Sequence, residues 1–301
     1  MSVVLLSGGS GGAKLARGLL DEVGDELTVI ANTGDDIEIH GGHVSPDPDL
    51  ITYWLADRID DRGWGIAGDT FAVMDALREL GVEVWFNLGD RDLAVCLERR
   101  RLLAGGAGLT EALARLGRCL GLAARVLPMS EEPVRTEIRT GGGWVGVQDF
   151  LIRLAGAAPI EDVRFAGAAD ASPAPGVLAA IAGARAIILG PSNPIISIGP
   201  ILAVPGIREA VAGAPAPVVA VSPIVGGRVL KGPTAAFLAW AGLDADAAGV
   251  AACYHGLIDG LVADEPAAGI PMLRTATRMD DPAARRRLAR ETLAFAGALA
   301  E

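Results

Sequence analysis

A glycine-rich turn after the first strand constrains this chain more than any other feature. The aliphatic run Ser2–Ser7 stops at Gly8-Gly9-Ser10-Gly11-Gly12, and Leu15, Leu19, Leu20 and Val23 then recur at helical spacing. Leu27–Asn32 reads as a second buried strand. Strand, glycine turn, helix and strand open a doubly wound, mostly parallel sheet of the Rossmann-like α/β class. Without Cβ atoms, the backbone N–H groups of such a turn can converge on an anion at a helix N-terminus, where the dipole also favours negative charge. Gly8, Gly9, Ser10, Gly11 and Gly12 therefore form a candidate phosphate cradle, with Lys14 and Arg17 in the first helical turns.

Two familiar motifs nearly fit and fail. A Walker A loop needs Gly-Lys-Ser/Thr, whereas Ala13 precedes Lys14 and Leu15 follows it. The dinucleotide fingerprint begins at Gly9 and Gly11 but meets Lys14 where its third glycine belongs. Asn32 also stands where an acidic ribose ligand should end strand two. A phosphate ligand is favoured and an NAD-dependent oxidoreductase disfavoured.

The 301 residues suffice for one large α/β unit, taken here as a single domain over 1–301 with a hairpin-containing insert around 128–172. An apolar fraction of 51% argues for a packed globule. The net charge of −11 speaks against a nucleic-acid partner. The short basic clusters Arg99–Arg101 and Arg285–Arg287 read as solvated helix faces. Cys96, Cys119 and Cys253 form no metal pair or disulfide framework in sequence. No stretch nears the ~18 apolar residues of a membrane span, and no basic leader precedes the first strand, so a cytoplasmic protein is expected.

Further elements follow from periodicity: helices near 49–57, over Asp69–Leu80 and over Leu109–Leu120 (opened by Thr110 as N-cap), and a strand Val82–Leu88. Pro133–Phe150 alternates on either side of Gly141–Gly143, which predicts a hairpin at an antiparallel edge. The α/β rhythm then resumes, with a helix to Gly183, strands Ala186–Leu189, Val218–Ser222 and Ile258–Ala263, and a final helix Pro282–Leu299.

Acidic loops stand on the side where a ligand is expected. Asn32-Thr33-Gly34-Asp35-Asp36 and Ser45-Pro46-Asp47-Pro48-Asp49 follow strand two, where open α/β sheets bind ligands. Carboxylates beside a phosphate repel it unless a hard cation intervenes, and Mg²⁺ does this with one or two carboxylates plus phosphate oxygens. Asp69 and Asp90 can also be read as simple N-caps, and Arg91 offers a planar fork for phosphate or a heterocycle's carbonyl edge. Gly190-Pro191-Ser192-Asn193-Pro194 supplies short polar groups after another strand. His40, His43 and His255 have no metal-type spacing, so neither a zinc site nor a hydrolase triad is expected.

Taken in order, these segments resemble the 2-phospho-L-lactate transferase family of coenzyme F-420 biosynthesis. The matching pieces are Ser7–Lys14, Asn32–Asp36, Ser45–Asp49 with Thr52-Tyr53, Gly63-Trp64-Gly65 with Gly68–Phe71, Leu88–Leu93, Leu127–Ser130, Gly190–Leu202 and Val219–Val225. The likeness runs from Val3 to about Glu265 and departs at Val95-Cys96, where the family pattern carries Thr-His. It implies an Mg²⁺-dependent transferase. Such an enzyme moves a phospho-acid group from a guanosine diphospho-donor to the primary hydroxyl of the deazaflavin Fo, giving coenzyme F-420-0 or its dehydro form and GMP. By that resemblance, the glycine turn with Lys14, Ser192 and Asn193 holds the nucleotide. Asp35 and Asp47 hold metal, Asp49, Tyr53, Thr70 and Arg91 contact Fo, and Asp49 and Asp35 act in catalysis. It also implies a homodimer. Which three-carbon acid the donor carries (phospholactate, phosphoenolpyruvate or phosphoglycerate) stays open, and a nucleotide-sugar-binding regulator of related fold is the alternative.

Overall fold

The computed structural model describes residues 2–300. Strand β1 (Ser2–Ser7) is buried from Val3 onward, which is why its sequence is an unbroken aliphatic run rather than an alternation. Helix α1 (Gly9–Val23) follows directly, then β2 (Leu27–Ala31), buried throughout. The acidic stretch folds into a small antiparallel pair, β3 (Ile37–Ile39) and β4 (Gly42–Val44), and helix α2 (Pro46–Leu55). α2 starts earlier than expected because Pro46 presets the first helical φ, and Asp47 and Asp49 in the first turn complement the dipole.

Helix α3 (Ala72–Glu79) is shorter than expected, and the next segment corrects the sequence reading. Residues 82–88 are irregular rather than a strand. Their apolar side chains, Phe86 and Leu88 foremost, pack instead against Met74, Leu93 and Cys96 of α3 and helix α4 (Asp90–Ala104), which the Arg99–Arg101 helix face and the Asp90 cap foretold only in part. Helix α5 (Leu109–Leu120) has the expected bounds, but Thr110 is not its cap. Gly108 is, and the Glu131 carboxylate accepts from the free N–H groups of Leu109 and Thr110.

Strand β5 (Arg125–Pro128) joins β2 as an edge. The hairpin forms as β6 (Arg135–Thr140) and β7 (Gly143–Gly146), but it is not an edge of the main sheet. It pairs with β8 (Asp162–Ala166) in a separate three-stranded sheet, and its apolar face packs on Phe150, Ile196 and Phe237 rather than staying free.

Helix α6 (Val177–Ala182), strand β9 (Ala184–Leu189), helices α7 (Gly199–Ala203) and α8 (Ile207–Ala212), and strand β10 (Val218–Val221) restore the α/β alternation. A tight hairpin, β11 (Ile224–Val225) and β12 (Arg228–Val229), leads to α9 (Thr234–Trp240) and α10 (Ala247–Cys253). Strands β13 (Gly260–Ala263) and β14 (Met272–Arg274) and helix α11 (Pro282–Leu299) complete the chain.

The main sheet has seven strands in the order β14-β13-β10-β9-β1-β2-β5, every neighbouring pair parallel. Alternate residues of β1 serve opposite faces, Val4 and Leu6 one core and Val3 and Leu5 the other. β1 has β2 on one side and β9, far along the chain, on the other. The connections therefore diverge at β1, which leaves a crevice beyond its C-terminal end. No helix among the described residues is long and apolar enough to cross a membrane.

Candidate active site

That crevice is a cleft of about 1040 Å³, lined by the segments after β1, β2, β9 and β10. The glycine turn forms its floor through Gly8, Gly9, Ser10 and Gly11. Gly12 lies behind them, where an added Cβ would collide with the hydroxyls of Ser7 and Ser192. Lys14 reaches the cleft, whereas Arg17 does not: it is tied to Asp57 at 2.8 Å and to Asp21.

The acidic loops converge on the same floor. The Asn32 amide nitrogen donates to Asp35 Oδ1 at 2.8 Å and to Asp47 Oδ2 at 2.9 Å, so one side chain holds two buried carboxylates together. Asp47 Oδ1 in turn accepts from the N–H of Gly9 at 2.6 Å, which joins the acidic pair to the glycine turn. Burial pushes the Asp35 carboxyl well above its usual range, and the neighbouring Asp47 charge adds to it. Burial likewise raises Asp47, to about 6, against its hydrogen bonds from Gly9 and Asn32. Gln148, after β7, approaches Asp35 Oδ2 at 3.5 Å, so the inserted sheet also contributes. Two like-charged oxygen donors held side by side by a single amide suit a hard divalent cation, whose charge would offset both the burial and the repulsion that raise Asp35.

A second acidic centre lies along the cleft. Arg99, read from the sequence as part of a solvated face, is wholly buried. Its guanidinium forms a two-point contact with Asp49, Nη1 to Oδ2 at 3.0 Å and Nη2 to Oδ1, and Nη1 also donates to the His43 carbonyl at 2.8 Å. Burial works against the Arg99 charge, but the neighbouring groups, Asp49 foremost, together outweigh it, and the guanidinium ends up raised and firmly cationic. Beside this pair, Tyr53 donates to Asp92 Oδ1 at 2.7 Å. Burial, then the Asp49 charge, lifts Asp92 to about 7. Asp49, Asp92 and Cys96 could place ligand atoms within 4.8 Å of one another. Arg99 already neutralises Asp49, however, and burial drives the Cys96 thiol upward and keeps it protonated, so this group is an ion-pair network rather than a metal centre. Cys96 itself does not line the cleft; it packs against Gly42 of β4.

Other expected residues are placed as follows. Ser192 lines the cleft, and its hydroxyl is engaged with Gly8, accepting from its N–H at 3.3 Å and donating to its carbonyl at 2.6 Å. Asn193 lines it too, while its Oδ1 caps the next turn by accepting from Ile195 and Ile196. Thr70 and Arg91 do not line the cleft: Thr70 donates to Asp90, and Arg91 donates to the Ala67 carbonyl at 3.2 Å. Trp64, Phe71, Trp85 and Phe86 give the upper wall an aromatic character. The sequence reading missed Arg99 and Asp92 in these roles. Extending the Arg99–Arg101 helix back to Asp90 puts Asp92, Cys96 and Arg99 four and three residues apart on one face.

The profile of the family described as 2-phospho-L-lactate transferase CofD matches residues 3–285. The chain belongs to this family. As a 2-phospho-L-lactate transferase family member it is an enzyme, a transferase of the phosphotransferase type. A phosphoenolpyruvate transferase from Kitasatospora aureofaciens is 45% identical over 98% of this chain and 98% of its own. A 2-phospho-L-lactate transferase from Methanosarcina mazei is 40% identical over 87% of each. Among solved structures, a UPF0052 family protein from Bacillus halodurans superposes with a TM-score of 0.66, covering 97% of this chain and all of its own. At 17% identity that likeness concerns the fold alone.

Proposed function

We propose that this enzyme transfers a phospho-acid group from a guanosine diphospho-donor to the primary hydroxyl of the deazaflavin Fo, releasing GMP and forming coenzyme F-420-0 or its dehydro form. The observation that carries this reading is the Gly9–Asp47 hydrogen bond, which fuses the phosphate cradle to the acidic pair in one cleft. Phosphoryl transfer asks chiefly for in-line positioning and neutralised charge, and that junction sets a phosphate cradle beside two carboxylates able to hold a cation. The aromatic upper wall suits a flat heteroaromatic acceptor.

In this reading Asp35 and Asp47 hold Mg²⁺, which supplies charge neutralisation at the phosphates. The glycine turn and Lys14 orient the diphosphate. The Fo hydroxyl oxygen attacks the phosphorus bearing the acid; its bond to the bridging oxygen breaks, and GMP leaves with that oxygen. The hydroxyl proton must go to a nearby base. Asp49, the choice made from sequence, has both oxygens engaged by Arg99 and is better suited to positioning. Asp92, held by Tyr53 through one oxygen and raised to about 7, is the better-matched acceptor.

The 45% match to a phosphoenolpyruvate transferase over nearly the full length makes phosphoenolpyruvate the first donor acid to test, ahead of phospholactate and phosphoglycerate. Incubation with Fo, Mg²⁺ and each guanosine diphospho-donor should release GMP with one of them. Absence of both GMP release and Fo binding would reject the assignment.

A further inference from the structure

Lysine occurs at only two places in the chain, Lys14 and Lys231; the rest of its 26 lysine and arginine side chains are arginine. Both lysines line the same cleft, although one comes from α1 and the other from the loop between β12 and α9. Among the described residues neither ammonium is ion-paired. Each faces an aromatic ring instead: Lys14 Nζ lies 6.0 Å from the Trp54 centroid and Lys231 Nζ 5.2 Å from that of Trp64. Burial, followed by the positive charge of Lys231, holds the Lys14 ammonium below the usual lysine range, so the two cations sense one another. Asp280, whose charge also reaches Lys14, is itself tied to Arg278 at 2.6 Å.

Two mutually repelling ammonium groups in one cleft are relieved by an anion that bridges them. Their identity carries the same message. Stacking on tryptophan would be served at least as well by arginine, the residue this chain uses everywhere else. A compact ammonium with three rotatable donors instead suits a phosphate oxygen approached from a constrained direction. We propose that Lys231 is a donor-binding residue, which joins Lys14 on the diphosphate of the nucleotide and rests against Trp64 until the nucleotide arrives. The proposal builds on the reading of Ser7–Lys14 as the nucleotide cradle.

The test is calorimetric titration of the full chain with GDP in EDTA, so that no divalent cation contributes, and with guanosine as the uncharged control. Lys231 is exposed, so Lys231→Met should fold as the parent does, and thermal melting checks this. Lys231→Met should weaken GDP binding about tenfold or more while leaving guanosine binding unchanged. Trp64→Phe should bind GDP within about twofold of the parent. GDP binding by Lys231→Met equal to the parent's overturns the proposal. So does an equal loss in Lys231→Met and Trp64→Phe, which would assign the effect to loop packing. A parent chain that binds GDP neither in EDTA nor in Mg²⁺ would instead reject the nucleotide reading beneath it.

Discussion

At the scale of the residue, the two acidic centres of the cleft behave differently because only one contains its own cation. Asp49 and Arg99 are a buried, two-point ion pair, and removing one partner strands the other charge. Arg99→Met should therefore destabilise the fold by about 3–5 kcal/mol, while the double variant Asp49→Leu with Arg99→Met should recover much of that in urea unfolding. A single variant no less stable than the parent would refute the pairing. Asp92 makes a prediction in pH. Its folded pKa of about 7 lies above the ordinary carboxylate value near 3.9, so between the two the native state binds the extra proton. Stability contributed by Asp92 is therefore full at low pH and falls as pH rises toward 7. Urea midpoints at about pH 5 and about pH 7.5 should show this fall in the parent and a smaller one in Asp92→Asn. The same variant should lower kcat with little change in Fo binding. Neither role was legible in the sequence: Arg99 sat in an Arg-Arg-Arg run that looks solvated, and only the helical register turns it inward.

At the scale of the element, what was legible followed from burial. Strands β1, β2 and β9 are buried on both faces, so their aliphatic runs announced them. The same signal misled at 82–88, where apolar residues serve a helix-packed cluster and find no neighbouring strand. α4 was legible only in part, as a helix face at Arg99–Arg101 and a cap at Asp90, because charges dominate its composition and blur any apolar stripe. The glycine turn was read correctly as a place of close approach, but its glycines differ in kind. Gly9 has φ of +63° and open space around its missing Cβ, whereas Gly12 has ordinary backbone and no room. Gly9→Ala should cost about 1 kcal/mol of backbone strain in thermal unfolding and spare the Ser192 contact. Gly12→Ala should cost about 1–3 kcal/mol and, by pushing Ser192 off Gly8, weaken GDP binding as well. Equal effects of the two substitutions would contradict this division.

At the scale of the whole molecule, the site depends on a topology that no local pattern encodes. The sequence implied a parallel sheet. It did not reveal that β1 would be flanked by β2 and the distant β9, and it missed the short edge strands β5 and β14. Because of that order, the cradle after β1, the acidic loops after β2 and the Ser192 loop after β9 come from different parts of the chain and meet only in the folded sheet. A ligand spanning them binds the native state and has no counterpart site in the unfolded chain, so its binding energy adds to global stability. GDP at a hundred times its dissociation constant should stabilise the fold by about 2.7 kcal/mol, which for a chain of this size raises the melting temperature by about 4 °C. Fo, which the proposed function seats on the aromatic wall beside the Asp49–Arg99 centre, should add a shift of its own when both are present. A GDP shift abolished by adding Fo would mean that the two compete for one subsite, and the arrangement of acceptor beside donor would have to be redrawn.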